Sequence, residues 1–501
     1  VLNMLELSGI PLFAKDRTEL FNIVVAGGAC TCNPEPLADF IDIFMLGEGE
    51  EMICELTALY KEYKDSGKNK AEFLQAAAQI EGLYVPSLYE VSYNDDGTVS
   101  AFEPICDAPK TVKKRIVKDL DKSFYPDMFV MPYCETVFDR ATTEIFRGCI
   151  RGCRFCQAGF IYRPVREKSA ETVLRQSAAL CENTGYEELS LLSLSTSDHS
   201  QIEPILNGLY DYAQENKISL SLPSLRIDNF SDELLKKISG IRKTGLTFAP
   251  EAGTQRLRDA INKNITEEDI FKSCKTAFMG GYTSVKLYFM LGLPTETDQD
   301  IVGIADLAQR ILDLYYSLED RPKGKSPSIT ISVACFIPKP FTPFQFTAQN
   351  SEEELKRKQQ LLLSSLRSKK IRVNYHDSTT SYLEAVLAKG NRRLSNVIYK
   401  AFKNGAKFDG WSEYFNLQAW QDAFDECGIN PKFYSEREIP ADEINPWDFI
   451  NIGVTKRFLI SEYQKAKQGI TTPNCRTECS FCGAKCYNAG ICKGGEERCN
   501  K

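Results

Sequence analysis

From about residue 142 the chain alternates short apolar runs with longer amphipathic stretches at a steady spacing. The apolar runs at 142–146, 188–195, 219–225, 245–249, 284–291 and 328–336 predict strands. The stretches at 169–183, 203–215, 231–239, 267–279 and 298–318 carry apolar residues at helical spacing and predict the helices between them. Strands separated by helices imply a parallel sheet with right-handed crossovers. Six such repeats suit a partly open (βα)6 barrel over residues 141–346 better than a closed eightfold one.

The flanks follow other patterns. Residues 1–65 show strand–loop–helix grammar: an apolar run at 21–26 ending in Gly27-Gly28, a second at 40–46 closed by Gly47-Glu48-Gly49-Glu50, then a helix from about 51 to 64. That is how a doubly wound α/β sheet is written. Residues 66–140 are mixed and loop-rich, with an Asn94-Asp95-Asp96-Gly97 turn, and read as a connector. Residues 347–470 read as mainly helical, with helices at 351–368, 379–388 and 394–404. Residues 471–501 are rich in Cys, Gly and Lys with little apolar periodicity, so a metal is expected to organise them. The chain opens Val1-Leu2-Asn3-Met4, which reads as a first domain whose opening half is missing.

Composition narrows the chemistry. Eighteen cysteines stand against two histidines, His199 and His376, so a His-built zinc or iron site is nearly excluded. Close-spaced cysteines in a reduced, cytoplasmic setting read as metal or iron–sulfur ligands. The net charge of −7 argues against a dominant nucleic-acid footprint, though not against a local basic channel. No apolar run reaches the roughly 18 residues of a membrane span.

The informative segment is Phe146-Arg147-Gly148-Cys149-Ile150-Arg151-Gly152-Cys153-Arg154-Phe155-Cys156, directly after the first predicted strand. Cys149, Cys153 and Cys156 are spaced C-x3-C-x2-C. Three thiolates on one tight loop can bind three irons of a cubane and leave the fourth open to a chelating ligand. Gly148 and Gly152 let the loop curl, and Arg147, Arg151 and Arg154 offset its negative charge. A zinc loop is the weaker alternative, because no fourth Cys or His follows nearby.

This motif, its position and the six βα units resemble the radical S-adenosylmethionine superfamily. The resemblance implies a partial radical SAM barrel and a 4Fe–4S cluster on Cys149, Cys153 and Cys156. Its open iron chelates the amino and carboxylate groups of S-adenosylmethionine, and one electron cleaves the sulfonium to give a 5′-deoxyadenosyl radical that abstracts hydrogen from a substrate. By the same resemblance Phe155 packs on adenine. Ser195, Thr196 and Ser197 stand where the amino group binds, with helix capping by Ser197 or Asp198 as the alternative. Arg226 pairs with the carboxylate or with a surface acid. Glu251 takes the ribose hydroxyls or caps a helix. Gly292 and Pro294 contact adenine through backbone, and residues 336–344 follow the sixth strand. An electron donor such as flavodoxin or ferredoxin is the implied partner. RNA is one of several substrate classes, beside carbon methylation, sulfur transfer and cofactor building; Arg367-Ser368-Lys369-Lys370 and Asn391-Arg392-Arg393 are the basic runs that could meet phosphate, or be solvated helix faces.

A narrower likeness rests on Gly27-Gly28, Asn33-Pro34-Glu35-Pro36-Leu37-Ala38-Asp39, Gly47-Glu48-Gly49-Glu50, residues 193–200, 249–263 and 338–346. These resemble the uncharacterised bacterial radical SAM proteins with a cobalamin-binding-type domain, and imply that residues 1–65 are part of a Rossmann-like domain of that type. The chain departs from the wider class in having no Asp-x-His-x-x-Gly loop, since no histidine precedes His199.

In the tail, Cys475, Cys479 and Cys482 repeat the C-x3-C-x2-C spacing, and Cys486, Cys492 and Cys499 follow. An auxiliary iron–sulfur cluster on Cys475, Cys479 and Cys482, with Cys486 as fourth ligand, is the preferred expectation; a structural zinc site is the alternative. Cys54, Cys181, Cys274 and Cys335 lie in apolar patterns and read as small core residues. A competing reading for the whole chain is an iron–sulfur or zinc regulatory protein without turnover of S-adenosylmethionine. The strand-end residues near Ser195, Arg226 and Glu251 count against it, because a bare cluster carrier needs none of them.

Overall fold

The structure, a computed structural model, describes residues 1–134, 136–221, 246–319, 321 and 326–494. They form two compact units: residues 1–117, 337–351 and 379–460 make one, and residues 118–336, 352–378 and 461–501 the other.

The second unit carries the βα repeats. Its strands are β1 (Ala141–Glu144), β2 (Glu188–Leu192), β3 (Ser219–Ser221), β4 (Leu246–Glu251), β5 (Ser284–Leu291), β6 (Ser328–Cys335) and β7 (Ile371–Tyr375). All neighbouring pairs are parallel, in the orders β3–β2–β1 and β4–β5–β6–β7. The six runs read from the sequence all become strands. β7 was not among them; it sits in the stretch expected to be mainly helical, where Ile371 and Val373 pair with Ile329 and Ile331. The end of the third run, the helix at 231–239 and Arg226 lie outside the described residues.

Helices return the chain between strands because their apolar stripes have a sheet to cover. Ile270, Cys274, Ala277 and Phe278 of Glu267–Met279 and Ile301, Ile304, Ala308 and Ile311 of Asp298–Ser317 bury against Val285, Leu287 and Phe289 of β5 and Ile329, Ile331 and Val333 of β6. Both helices start with capping boxes, Thr266 with Asp269 and Thr297 with Asp300. A separate core joins β1 and β2 to helices Ala170–Thr184 and Ile202–Asn216 through Val173, Leu180, Leu189, Leu191, Ile205 and Leu209.

The first unit holds a small sheet, in which Val25–Ala26 pairs in parallel with Ile43–Met45, and Leu83–Tyr84 adds antiparallel. Helix Gly49–Asp65 follows. The Asn94–Gly97 turn closes an antiparallel pair, Tyr89–Tyr93 with Val99–Pro104. The motifs here that resemble a cobalamin-binding-type domain make contacts within their own unit. Asn33 donates to the carbonyls of Ala388 (3.0 Å) and Gly390 (2.8 Å). Glu35 accepts from Tyr84 and is paired with Arg392 at 3.0 Å. Gly47, at φ +109°, lies so close to Arg115 that a Cβ would sit 2.1 Å from its carbonyl oxygen. Arg392 is therefore neither a phosphate contact nor a solvated face; it is a partner of a buried carboxylate. Asp42 is likewise buried between Arg17 (2.8 Å) and Lys70 (2.6 Å).

Two consequences can be measured. Gly253 lies against the backbone of the helix Asp298–Ser317: an added Cβ would stand 2.3 Å from Ile304 N and 2.4 Å from Asp300 O. Gly253→Ala should therefore lower the unfolding free energy by about 3 kcal/mol in a denaturant titration. Lys389 is buried with its ammonium donating to Thr347 O (3.0 Å) and Arg437 O (3.3 Å), and burial, then the charge of Arg437, pushes its pKa down to about 7. The unfolded chain then holds a proton that the folded one has lost, so this residue makes stability rise with pH from about 7 towards 10, by on the order of 1 kcal/mol per unit. Lys389→Met should flatten that rise when unfolding is compared at about pH 7 and about pH 9.

Candidate metal centre

The segment after β1 has no room to wander. Phe146–Arg147 pairs antiparallel with Arg166–Glu167, which closes residues 148–165 into one loop containing Cys149, Cys153 and Cys156. Gly148, at φ +87°, starts it where a Cβ would meet Tyr162 O at 2.7 Å. Turns from Cys156 N to Cys153 O (3.1 Å) and from Gly159 N to Cys156 O (3.2 Å) wind the chain, and the Arg151 N–H points at Cys149 Sγ (3.4 Å). The three thiols are mutual charge neighbours. Burial and Cys153 push Cys149 up to about 12, and the same two causes raise Cys156. The Cys149 and Cys156 thiols are therefore held protonated, so loading a metal on them must release protons.

Among the described residues no three His, Cys, Asp or Glu side chains stand close enough to grip a single metal ion. A cubane asks less of these thiols, because each takes a different iron. Three half-buried thiols on one closed loop, with soft sulfur donors, fit a cluster of that kind.

Carboxylates from the strand ends come next to the loop. After β2, residues 193–198 turn so that Ser195 Oγ donates to Asp198 Oδ2 at 2.6 Å and Ser193 and Thr196 share a hydrogen bond of 2.9 Å. Asp198 also takes both arms of Arg151, at 2.9 and 2.5 Å, and is a charge neighbour of Cys149. Neither Ser197 nor Asp198 caps the next helix, whose N-cap is Gln201. After a register shift in β4, Glu251 stands at φ +68° and pairs with Lys263 at 3.0 Å; both are charge neighbours of Cys156. Thr254, not Glu251, caps helix Gln255–Ala260. Gly292 follows β5 at φ +85°, its N–H donating to the buried Glu296 at 2.8 Å, with Pro294 two residues on. Phe155 is half-buried in the loop. The region 337–351, expected to follow the sixth strand within the barrel, belongs to the other unit.

The charge-offsetting role expected of three arginines falls elsewhere. Arg147 is taken by Glu144, Arg151 by Asp198 and Arg154 by Glu462. The guanidinium beside the thiols is Arg163, buried, with Nε donating to Gly159 O (2.9 Å) and Nη2 to Arg151 O (3.2 Å). Burial works against its charge, but Cys482, Cys475 and Cys149 raise its pKa, and it hydrogen-bonds to Cys482. The tail has thus folded back onto the loop. Cys475 N–H donates to Ile150 O (3.0 Å) and Ile491 N–H to Val165 O (3.1 Å). Asn262 ties the two together, donating to Gly152 O (3.0 Å) and accepting from Thr472 N (2.7 Å). Reading the sequence did not single out Arg163 or Asn262 for this site; neither lies in a spacing pattern, and only their position reveals them.

Asp198 and Arg151 are both largely buried, so Asp198→Ala would remove the carboxylate that both arms of the guanidinium use. It should destabilise the protein by about 3 kcal/mol in chemical denaturation and lower the iron bound per chain after reconstitution.

Known proteins share stretches of this sequence. A family model described as "Radical SAM superfamily" matches residues 143–308, and one described as "Radical SAM proteins, N-terminal" matches residues 1–86. An uncharacterised protein of Methanocaldococcus jannaschii, MJ0966, is 29% identical over 377 residues, 75% of this chain and 73% of that protein. The threonylcarbamoyladenosine tRNA methylthiotransferase MtaB of Aquifex aeolicus is 23% identical over 279 residues, 54% of this chain and 63% of its own. Among solved structures, the radical S-adenosylmethionine methyltransferase TsrM from Kitasatospora setae, with cobalamin and a [4Fe-4S] cluster bound, superposes with a TM-score of 0.41 and 14% identity, over 62% of this chain and 56% of that one. No helix among the described residues is long and apolar enough to cross a membrane.

Proposed function

We propose that this chain, which belongs to the radical S-adenosylmethionine superfamily of enzymes, binds a 4Fe–4S cluster through Cys149, Cys153 and Cys156 and cleaves S-adenosylmethionine reductively to begin hydrogen abstraction from a substrate. The observation that carries this reading is the convergence of three thiols on one closed loop after β1, flanked by Asp198 from the end of β2 and Glu251 from the end of β4. The carboxyl ends of parallel strands are where such folds place their chemistry. When bound, the cluster supplies one electron to the sulfonium.

The chain's own residues do the holding. Asp198 anchors Arg151 and so fixes the loop against the turn of Ser195, Thr196 and Ser197, whose backbone and hydroxyls face a cationic amino group best. Glu251 is oriented by Lys263 for ribose hydroxyls. Gly292 and Pro294 offer backbone to adenine, Phe155 offers a ring, and Arg226 a partner for the carboxylate. An auxiliary cluster on Cys475, Cys479 and Cys482, with Cys486 as the fourth ligand first expected, completes the cofactor set. Cobalamin has no imidazole to bind from residues 1–198, and no step here runs through it.

For the substrate, we favour transfer of a methyl or sulfur-containing group to RNA, in keeping with the likeness to the tRNA methylthiotransferase MtaB. A flavodoxin or ferredoxin in the cytoplasm would supply the electron and the reducing setting the thiols need.

The test is anaerobic reconstitution with iron and sulfide, then dithionite and S-adenosylmethionine. 5′-Deoxyadenosine should appear with the native chain and vanish with Cys149→Ala, Cys153→Ala or Cys156→Ala. An intact cluster that yields none would favour an iron–sulfur or zinc regulatory protein instead.

A further inference from the structure

The tail's cysteines are brought together in a way their spacing does not predict. Cys475 is pinned to Ile150 and Ile491 to Val165, on two sides of the same loop, so the intervening chain must double back. Gly483 at φ +106° and Gly490 at φ +54° make the turns, and at Gly490 a Cβ would stand 1.8 Å from Val165 O, so no side chain fits. Ala484, Tyr487 and Ala489 are buried beneath. The result carries Cys492 back to the start of the tail: its charge neighbours are Cys482, Cys475 and Cys479, and burial pushes it up to about 12. Cys475 in turn has Cys482 and Cys479 beside it, and Cys482 is buried. Cys486, the fourth ligand expected from spacing, is exposed.

We propose that Cys475, Cys479, Cys482 and Cys492 are the four ligands of an iron–sulfur cluster seated directly against the loop of Cys149, Cys153 and Cys156. This deepens the auxiliary-cluster reading by naming its ligands and its place. Four thiolates close every iron, so this centre has no open position, unlike the three-cysteine loop beside it. Arg163 is the cation shared by the two sets, hydrogen-bonded to Cys482 and a charge neighbour of Cys149 and Cys475. A buried guanidinium there offsets the negative charge that two neighbouring thiolate-ligated centres would otherwise place on each other.

The experiment uses the full chain, reconstituted anaerobically with iron(II) and sulfide, with iron, acid-labile sulfide and zinc counted per chain. The triple variant Cys149→Ser/Cys153→Ser/Cys156→Ser should keep about half of the native iron and sulfide, and adding Cys492→Ser should remove it. In the otherwise native chain, Cys492→Ser should cut iron by about half while Cys486→Ser leaves it unchanged. The proposal is overturned if the triple variant, folded by circular dichroism, holds no iron, if it holds zinc in place of iron, or if Cys486→Ser rather than Cys492→Ser causes the loss. Because these counts do not require turnover, they stand apart from the 5′-deoxyadenosine assay.

Discussion

Three thiols within eight residues can face a common centre only if the backbone between them turns tightly and is stopped from relaxing. Here the stop is a two-residue antiparallel pairing, Phe146–Arg147 with Arg166–Glu167, that closes the loop at its base. Once the loop is closed, its carbonyls become obligatory acceptors. The neighbours are arranged around that demand: Asn262 takes Gly152 O, the tail takes Ile150 O, and Arg163 takes Arg151 O and Gly159 O. Much of the surrounding structure is a consequence of satisfying one small loop.

The strand ends follow a common plan. Three of them, those of β2, β4 and β5, present a carboxylate with a committed partner: Asp198 with Arg151, Glu251 with Lys263, Glu296 with Lys358. Pairing fixes where these acids sit, and burial raises the Cys149 and Cys156 thiols, so a metal binding there must displace their protons.

The βα grammar was legible because strands buried on both faces and helices buried on one have different periods. The capping boxes at Thr266 and Thr297 mark helix starts in the sequence itself. β7 was hidden because Ile371–Tyr375 is short and its alternation, Ile-Arg-Val-Asn-Tyr, is overshadowed by the strong helix before it. In residues 1–65 the glycine and Asn-Pro-Glu motifs resemble part of a cobalamin-binding-type domain, and Asn33, Glu35 and Gly47 are occupied by contacts within their own unit. Such motifs specify a tight backbone; what the backbone approaches is a tertiary matter.

What the sequence by itself determined is the identity and order of the ligands on the first loop, since C-x3-C-x2-C is a local pattern that needs only one turn of chain to act. It also determined the repeat that puts this loop at a strand's carboxyl end. What only the tertiary structure decided is which distant residues meet it. Asp198, Lys263, Asn262 and Arg163 lie in separate segments, and Cys492 joins Cys475, Cys479 and Cys482 because the chain turns back at Gly490 against Val165. Spacing along a chain governs neighbours within a turn or two; beyond that, packing and the need to satisfy buried backbone groups choose the partners.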